Sequence, residues 1–180
     1  MTGVVSLELV FDHETDSAVR SEWDALLRAD LPSQARHRGE SNRPHVTLLV
    51  RAGLAPFDAA PLEDALPLAL RLGAPVLFGR GRNRVIARSV VPTEGLLSLH
   101  ARVHELAGPG AEVDHTVPGA WTAHVTLARR VPLERLGDAL SVLEERGGGD
   151  LAARAVGIRR WDAAAKTVTE LAGRGTLEPC

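Results

Sequence analysis

Apolar positions along the chain switch between a two-residue and a 3.6-residue period, and the switches mark out its elements. Val4 to Phe11 reads as a strand. Thr15, Asp16 and Ser17 then offer N-cap chemistry to a helix whose Val19, Trp23, Leu26 and Leu27 keep helical spacing, and Leu31-Pro32 ends it. Ser33 to Arg43 is polar and Arg-rich, a loop that delivers the chain into a strand from Pro44 to Arg51. After a Pro/Ala-rich stretch with a short helix around Asp58 to Leu66, Leu68 to Phe78 and Arg84 to Val91 read as strands joined across Gly79 and Gly81. Pro92 opens a helix through about Ala107, stopped by Gly108-Pro109-Gly110. A strand from Trp121 to Val131 follows. The next helix starts from Pro132, with Leu133, Leu136, Leu140 and Leu143 on one face, and is closed by Gly147, Gly148 and Gly149. Strands at Ala152 to Trp161 and Lys166 to Ala172 complete the chain. Strands in runs, without strict βαβ alternation, predict an α+β fold with antiparallel pairing. No interdomain linker interrupts the 180 residues, which form a single domain.

Composition narrows the classes. A hydrophobic share of 44% with 24% charged residues is globular and argues against disorder or a coiled coil. The formal charge of -2 leaves no global positive field for gripping a long duplex, so any nucleic acid is touched locally. All of the 21 basic residues except Lys166 are arginine, which reads as coding bias. The lone Cys180 excludes an internal disulfide framework and any multi-cysteine zinc site. The N-terminus lacks a basic leader and no apolar run approaches the ~20 residues that span a bilayer, so a cytoplasmic protein without a membrane partner is expected. Nothing implies a stable protein partner, and a monomer is expected.

The chemistry lies in a repeated word. His45-Val46-Thr47-Leu48 returns as His124-Val125-Thr126-Leu127. Because side chains alternate along a strand, His45 and Thr47 share one face while Val46, Leu48 and Val50 face the core, and His124 and Thr126 share a face opposite Val125 and Leu127. Each strand presents an imidazole and a hydroxyl about 6 to 7 Å apart. Brought together, two imidazoles and two hydroxyls suit phosphodiester chemistry without a metal or other cofactor. One neutral His deprotonates the nucleophile, the other, protonated, supplies a proton to the leaving oxygen, and the Thr hydroxyls hold the non-bridging oxygens. Which His is base and which acid is not encoded by the motif. A third His-x-Thr, His13-Glu14-Thr15, lies among acidic residues without apolar alternation and is not a site.

In these motifs the chain resembles the two-histidine (2H) phosphoesterase superfamily, specifically the bacterial RNA 2′,3′-cyclic phosphodiesterase / 2′-5′ RNA ligase family. Pro44 before the first motif and Ala128-Arg129 after the second match its flanks. The resemblance implies a bilobal duplicated α+β fold, with two mainly antiparallel sheets facing a central cleft and helices outside. It also implies a metal-independent phosphodiesterase that opens 2′,3′-cyclic phosphates at RNA or nucleotide ends, usually to a 2′-phosphate. The same residues could run the reverse, 2′-5′ ligase-type transesterification. The alternative from another class is a non-catalytic nucleotide- or RNA-binding module of the same fold.

Other residues carry weaker signals. With three Trp, three Phe and no Tyr, a base-stacking platform has few candidates, and Phe78 before the Gly79-Gly81 turn is the one selected. Trp121 falls on core parity. Arg43 shares the face of His45, two residues away, and is a candidate phosphate ligand. Arg129 has the opposite parity to His124 and is left out of the site. Arg36, Arg38 and Arg43, and then Arg80, Arg82, Arg84 and Arg88, read as solvated basic stretches. His100 and His104 flank an apolar helical stripe with no third ligand, which places them at the edge of the buried face rather than on zinc.

Overall fold

The structure is a computed structural model that describes residues 4–39, 41–111, 114–146 and 148–173. Its order is β1 (Val5–Phe11), α1 (His13–Arg28), β2 (His45–Arg51), β3 (Leu68–Phe78), β4 (Asn83–Val90), α2 (Glu94–Ala107), β5 (His124–Pro132), α3 (Leu136–Glu144), β6 (Leu151–Asp162) and β7 (Thr167–Gly173), with short 3-10 turns between. Every strand pairing is antiparallel. The α+β expectation holds, and the elements fall close to their predicted spans.

Local chemistry moves some boundaries. Helix α1 begins at His13 because Asp12, not the Thr15-Ser17 cluster, is its N-cap and accepts from the Thr15 amide at 2.9 Å. Thr15 is buried instead, its hydroxyl accepting from the Arg154 amide. Helix α2 begins at Glu94 with Thr93 as cap rather than at Pro92, and ends at Gly108, whose φ of 65° is one a side chain resists. Only a 3-10 turn spans Leu133 to Arg135 before α3. That helix buries Ala139 and Leu143 while leaving Leu140 exposed, so its apolar face is narrower than the leucine stripe implied. Gly147 and Cys180 lie outside the described residues.

The hydrogen bonds join all seven strands into one sheet in the order β1-β2-β5-β4-β3-β6-β7, with β1 also paired to β6. The expectation of two separate sheets is corrected by the length of β6. Its 12 residues pair with β3 over Leu151 to Ala155, then with β1 and β7 further along, so one strand serves both halves. The β1–β6 pairing closes six strands into a circuit. Its weakest join is β2–β5, recorded as the single residue pair Val46 and Val125. Helix α1 packs on β1, β5, β6 and α3, and α2 packs on β2 and β3. One apolar core contains Leu7, Leu9, Val46, Leu48, Val125 and Leu127.

Candidate active site

The join between β2 and β5 is also where the two motifs meet. With Val46 opposite Val125 in antiparallel register, His45 stands across from Thr126 and Thr47 across from His124. Both valines are fully buried while the two His and two Thr are half-buried. The four polar side chains therefore form a square on the face away from the core. In an ordinary antiparallel pair facing Cβ atoms are about 4.5–5.5 Å apart and diagonal ones about 7–8 Å. The imidazoles take one diagonal and the hydroxyls the other.

A β-bulge follows each motif at the same place. On β1, Leu7 pairs with Leu49 and Glu8 with Thr47, so Leu48 is the extra residue of β2. On β4, Ile86 pairs with Ala128 and Ala87 with Thr126, so Leu127 is the extra residue of β5. Two successive core residues result in each strand, Leu48-Leu49 and Leu127-Ala128. The bulges invert parity beyond the motif. Val50, expected in the core, is half-buried, and Arg129, expected to turn away, lines the same cavity as His45 and acts electrostatically on His124.

Matched hydrogen bonds orient the imidazoles. His45 Nδ1 donates to the Arg43 carbonyl at 2.6 Å, and His124 Nδ1 donates to the Thr122 carbonyl at 2.7 Å. A carbonyl can only accept, so each Nδ1 keeps its proton and each Nε2 is the nitrogen that exchanges one. The Arg43 contribution seen here is thus its backbone carbonyl. A second matched pair fixes the strands. The Trp121 indole N–H donates to the Thr47 carbonyl and the Trp23 indole N–H to the Thr126 carbonyl, both at 3.0 Å. His100 stacks on Trp121 at 3.8 Å and bonds the Thr116 carbonyl, while His104 Nε2 bonds the Leu48 carbonyl. These two His support the strand from behind, and Trp121, which precedes β5 rather than lying on it, is half-buried against the core. Among the described residues no group of three or more His, Cys, Asp or Glu is placed to hold a metal ion.

Beyond these pairs the two imidazoles differ. Glu8 of β1 approaches His45 Nε2 to 3.7 Å. It is buried, accepts from Ser6, and forms a close ion pair with Arg159 of β6. Burial would raise the Glu8 carboxyl, but the charges of His45 and Arg159 and the bonds from Ser6 and Arg159 hold it below the ordinary carboxylate range. His124 instead meets the Phe78 ring at 4.6 Å. Its burial, with smaller effects from His115, His45 and Arg129, lowers its pKa against the opposing bond to Thr122. The structure thus puts Phe78 in the site, against an imidazole.

Glu8 and Arg159 were missed by sequence reasoning. The available signal was one acid inside an apolar strand, which identifies its face but not its partner. The basic stretches divide. Arg88 is buried rather than solvated, ion-paired with Glu22 of α1 and bonded to the Gly73 and Gly149 carbonyls. Arg36 pairs with Asp30, and Arg38 joins Glu8, His45, Arg129 and Arg159 around a cavity of about 590 Å³. Among the described residues no helix is long and apolar enough to cross a membrane.

Residues 59–165 match the model of the 2'-5' RNA ligase superfamily, a span that holds the second motif and begins beyond the first. The fold is similar to that of Kluyveromyces marxianus Usb1 solved with uridine monophosphate, at 14% identity and a TM-score of 0.51 over 94% of this chain and 98% of that one. E. coli LigT in its apo form aligns at 15% identity and a TM-score of 0.47, over 96% of this chain and 98% of that one. No curated protein sequence matches the chain. With more than half of its length matched, the chain belongs to the 2'-5' RNA ligase superfamily, that of the two-histidine phosphoesterases.

Proposed function

We propose that the protein is a phosphodiesterase that opens 2′,3′-cyclic phosphates at RNA or nucleotide ends, with His124 as general base and His45 as general acid. The observation that carries this reading is the square of two imidazoles and two hydroxyls, with both Nδ1 atoms tied to carbonyls. Membership of the superfamily supports the reaction class. The nucleotide in the Usb1 structure supports a nucleotide-sized substrate.

The roles follow from the surroundings. Burial favours neutral His124, which suits it to take a proton from water. The Glu8 carboxylate, 3.7 Å from His45 Nε2, gives the proton-donating ring an anionic neighbour. With the phosphorus at the centre of the square, water deprotonated by His124 Nε2 attacks it. The P–O3′ bond breaks on the far side, and His45 Nε2 protonates the departing 3′-oxygen. The product is a 2′-phosphate monoester, and the diagonal placement of the imidazoles gives the in-line geometry that displacement needs. Thr47 and Thr126 donate to the non-bridging oxygens, where negative charge grows.

The test uses a short oligonucleotide ending in a 2′,3′-cyclic phosphate. His45→Ala and His124→Ala are each expected to slow turnover by about 10² to 10⁴. Wild-type rates in either variant would sink the mechanism. A wild-type protein that binds the oligonucleotide but leaves several cyclic phosphates intact would establish the binding module instead.

A further inference from the structure

The square accounts for one phosphate, yet the cavity beside His45 is about 590 Å³, in the range of sites that hold much larger ligands. It reaches from β2 across β1 to β6, since Glu8 pairs with Thr47 on one side and Arg159 on the other. Two strand spacings separate the first and last of these, about 10 Å. That distance exceeds the span of a single phosphate and is of the order of one nucleotide.

The charge on this wall is uneven. Among the described residues that line it, Glu8 is the only carboxylate, and it is committed to Arg159 and His45. Arg38, Arg129 and Lys166 also line the cavity, and among the described residues no carboxylate pairs with any of them. Lys166 is the only lysine of the chain and stands in the β6–β7 turn at a φ of 56°, a left-handed conformation that non-glycine residues resist. The Asp162 carboxylate, accepting from the Ala164 and Ala165 amides, fixes that turn. Trp161 also lines the cavity; two residues beyond Arg159 on β6, its half-buried ring faces the same way.

We propose that this cavity is a second phosphate subsite, in which Arg38, Arg129 and Lys166 receive the phosphate on the 5′-oxygen of the nucleoside whose cyclic phosphate lies between the two imidazoles. Trp161 packs against that nucleoside. The preferred substrate is then a 5′-phosphorylated end, either an RNA terminus or a nucleoside bisphosphate, rather than a bare nucleoside cyclic phosphate. This rests on the proposed function but adds a distinct requirement for a second anion.

Three substrates test it: adenosine 2′,3′-cyclic phosphate, the same compound bearing a 5′-phosphate, and a dinucleotide ending in the same cyclic phosphate. The bisphosphate or the dinucleotide is expected to exceed the first in kcat/KM by at least about tenfold, the worth of one or two charge-assisted hydrogen bonds. Whichever gains more separates a terminal monoester from a chain diester. In Lys166→Glu combined with Arg38→Glu that ratio is expected to fall to about one, whereas Lys166→Arg retains it. Equal turnover of all three by the wild type, or an undiminished ratio in the double variant, overturns the proposal. Calorimetry with adenosine 2′,5′-bisphosphate and adenosine 2′-phosphate reads the subsite without catalysis. Tighter binding of the bisphosphate by a protein inert toward cyclic phosphates would sink the catalytic reading while sustaining the subsite, and equal binding would sink the subsite.

Discussion

His45 and His124 occupy the same word of sequence and make the same Nδ1 bond, so their different chemistry comes from their neighbours. Glu8 supplies an anion to one, and Phe78 with burial supplies a poor solvent to the other. Replacing Glu8 by Gln removes the carboxylate beside His45 Nε2 and the ion-pair partner of the buried Arg159. The turnover of a 2′,3′-cyclic phosphate is expected to fall by about tenfold or more, read as kcat. An unchanged kcat would remove Glu8 from the proposed mechanism, whatever the substitution does to stability. His124 makes a second prediction. Its folded pKa lies below its unfolded value near 6.5, so its stabilising contribution is complete above that value and is lost as pH falls through the folded pKa. Denaturant titrations should show the wild type losing stability relative to His124→Asn between pH 7 and pH 5. A constant difference would contradict the depressed pKa.

At the scale of elements, β2 and β5 are alike in motif, in bulge and in the indole that bonds the second motif residue's carbonyl. Trp23→Phe and Trp121→Phe keep a ring in place but remove the N–H. Each is expected to cost about 1–3 kcal/mol in chemical denaturation by stranding a carbonyl, and to lower kcat through displacement of the neighbouring motif. Wild-type kcat in both would reduce the indoles to packing. The four motif residues were legible because alternation holds over the three residues spanning each Val. It failed at Val50 and Arg129 because Leu48 and Leu127 each insert one residue, and two adjacent leucines or a Leu-Ala pair read equally well as opposite faces of an unbroken strand. Glu8 and Arg159 were illegible for another reason. Strand parity gives the face of a side chain, but only the β1–β6 register sets these two beside each other.

Over the whole molecule, the expected pair of sheets becomes one circuit because β6 is long enough to serve both halves, a matter of pairing partners that alternation does not encode. The buried Glu22–Arg88 pair ties α1 to β4, with further bonds to carbonyls at Gly73 and Gly149. Glu22→Gln and Arg88→Met are each expected to destabilise by about 3–5 kcal/mol, by leaving a buried charge without its partner. The double variant should cost clearly less than their sum, and strict additivity would show that the two charges do not depend on each other. The circuit is thinnest at Val46 and Val125, and the square of two imidazoles and two hydroxyls straddles that pair. A phosphate held from both sides would therefore act as a rivet across the seam, so that occupancy and mechanical integrity rise together: a ligand at a hundred times its Kd adds about 2.7 kcal/mol to unfolding, and should slow amide exchange at Val46 and Val125 more than at β7.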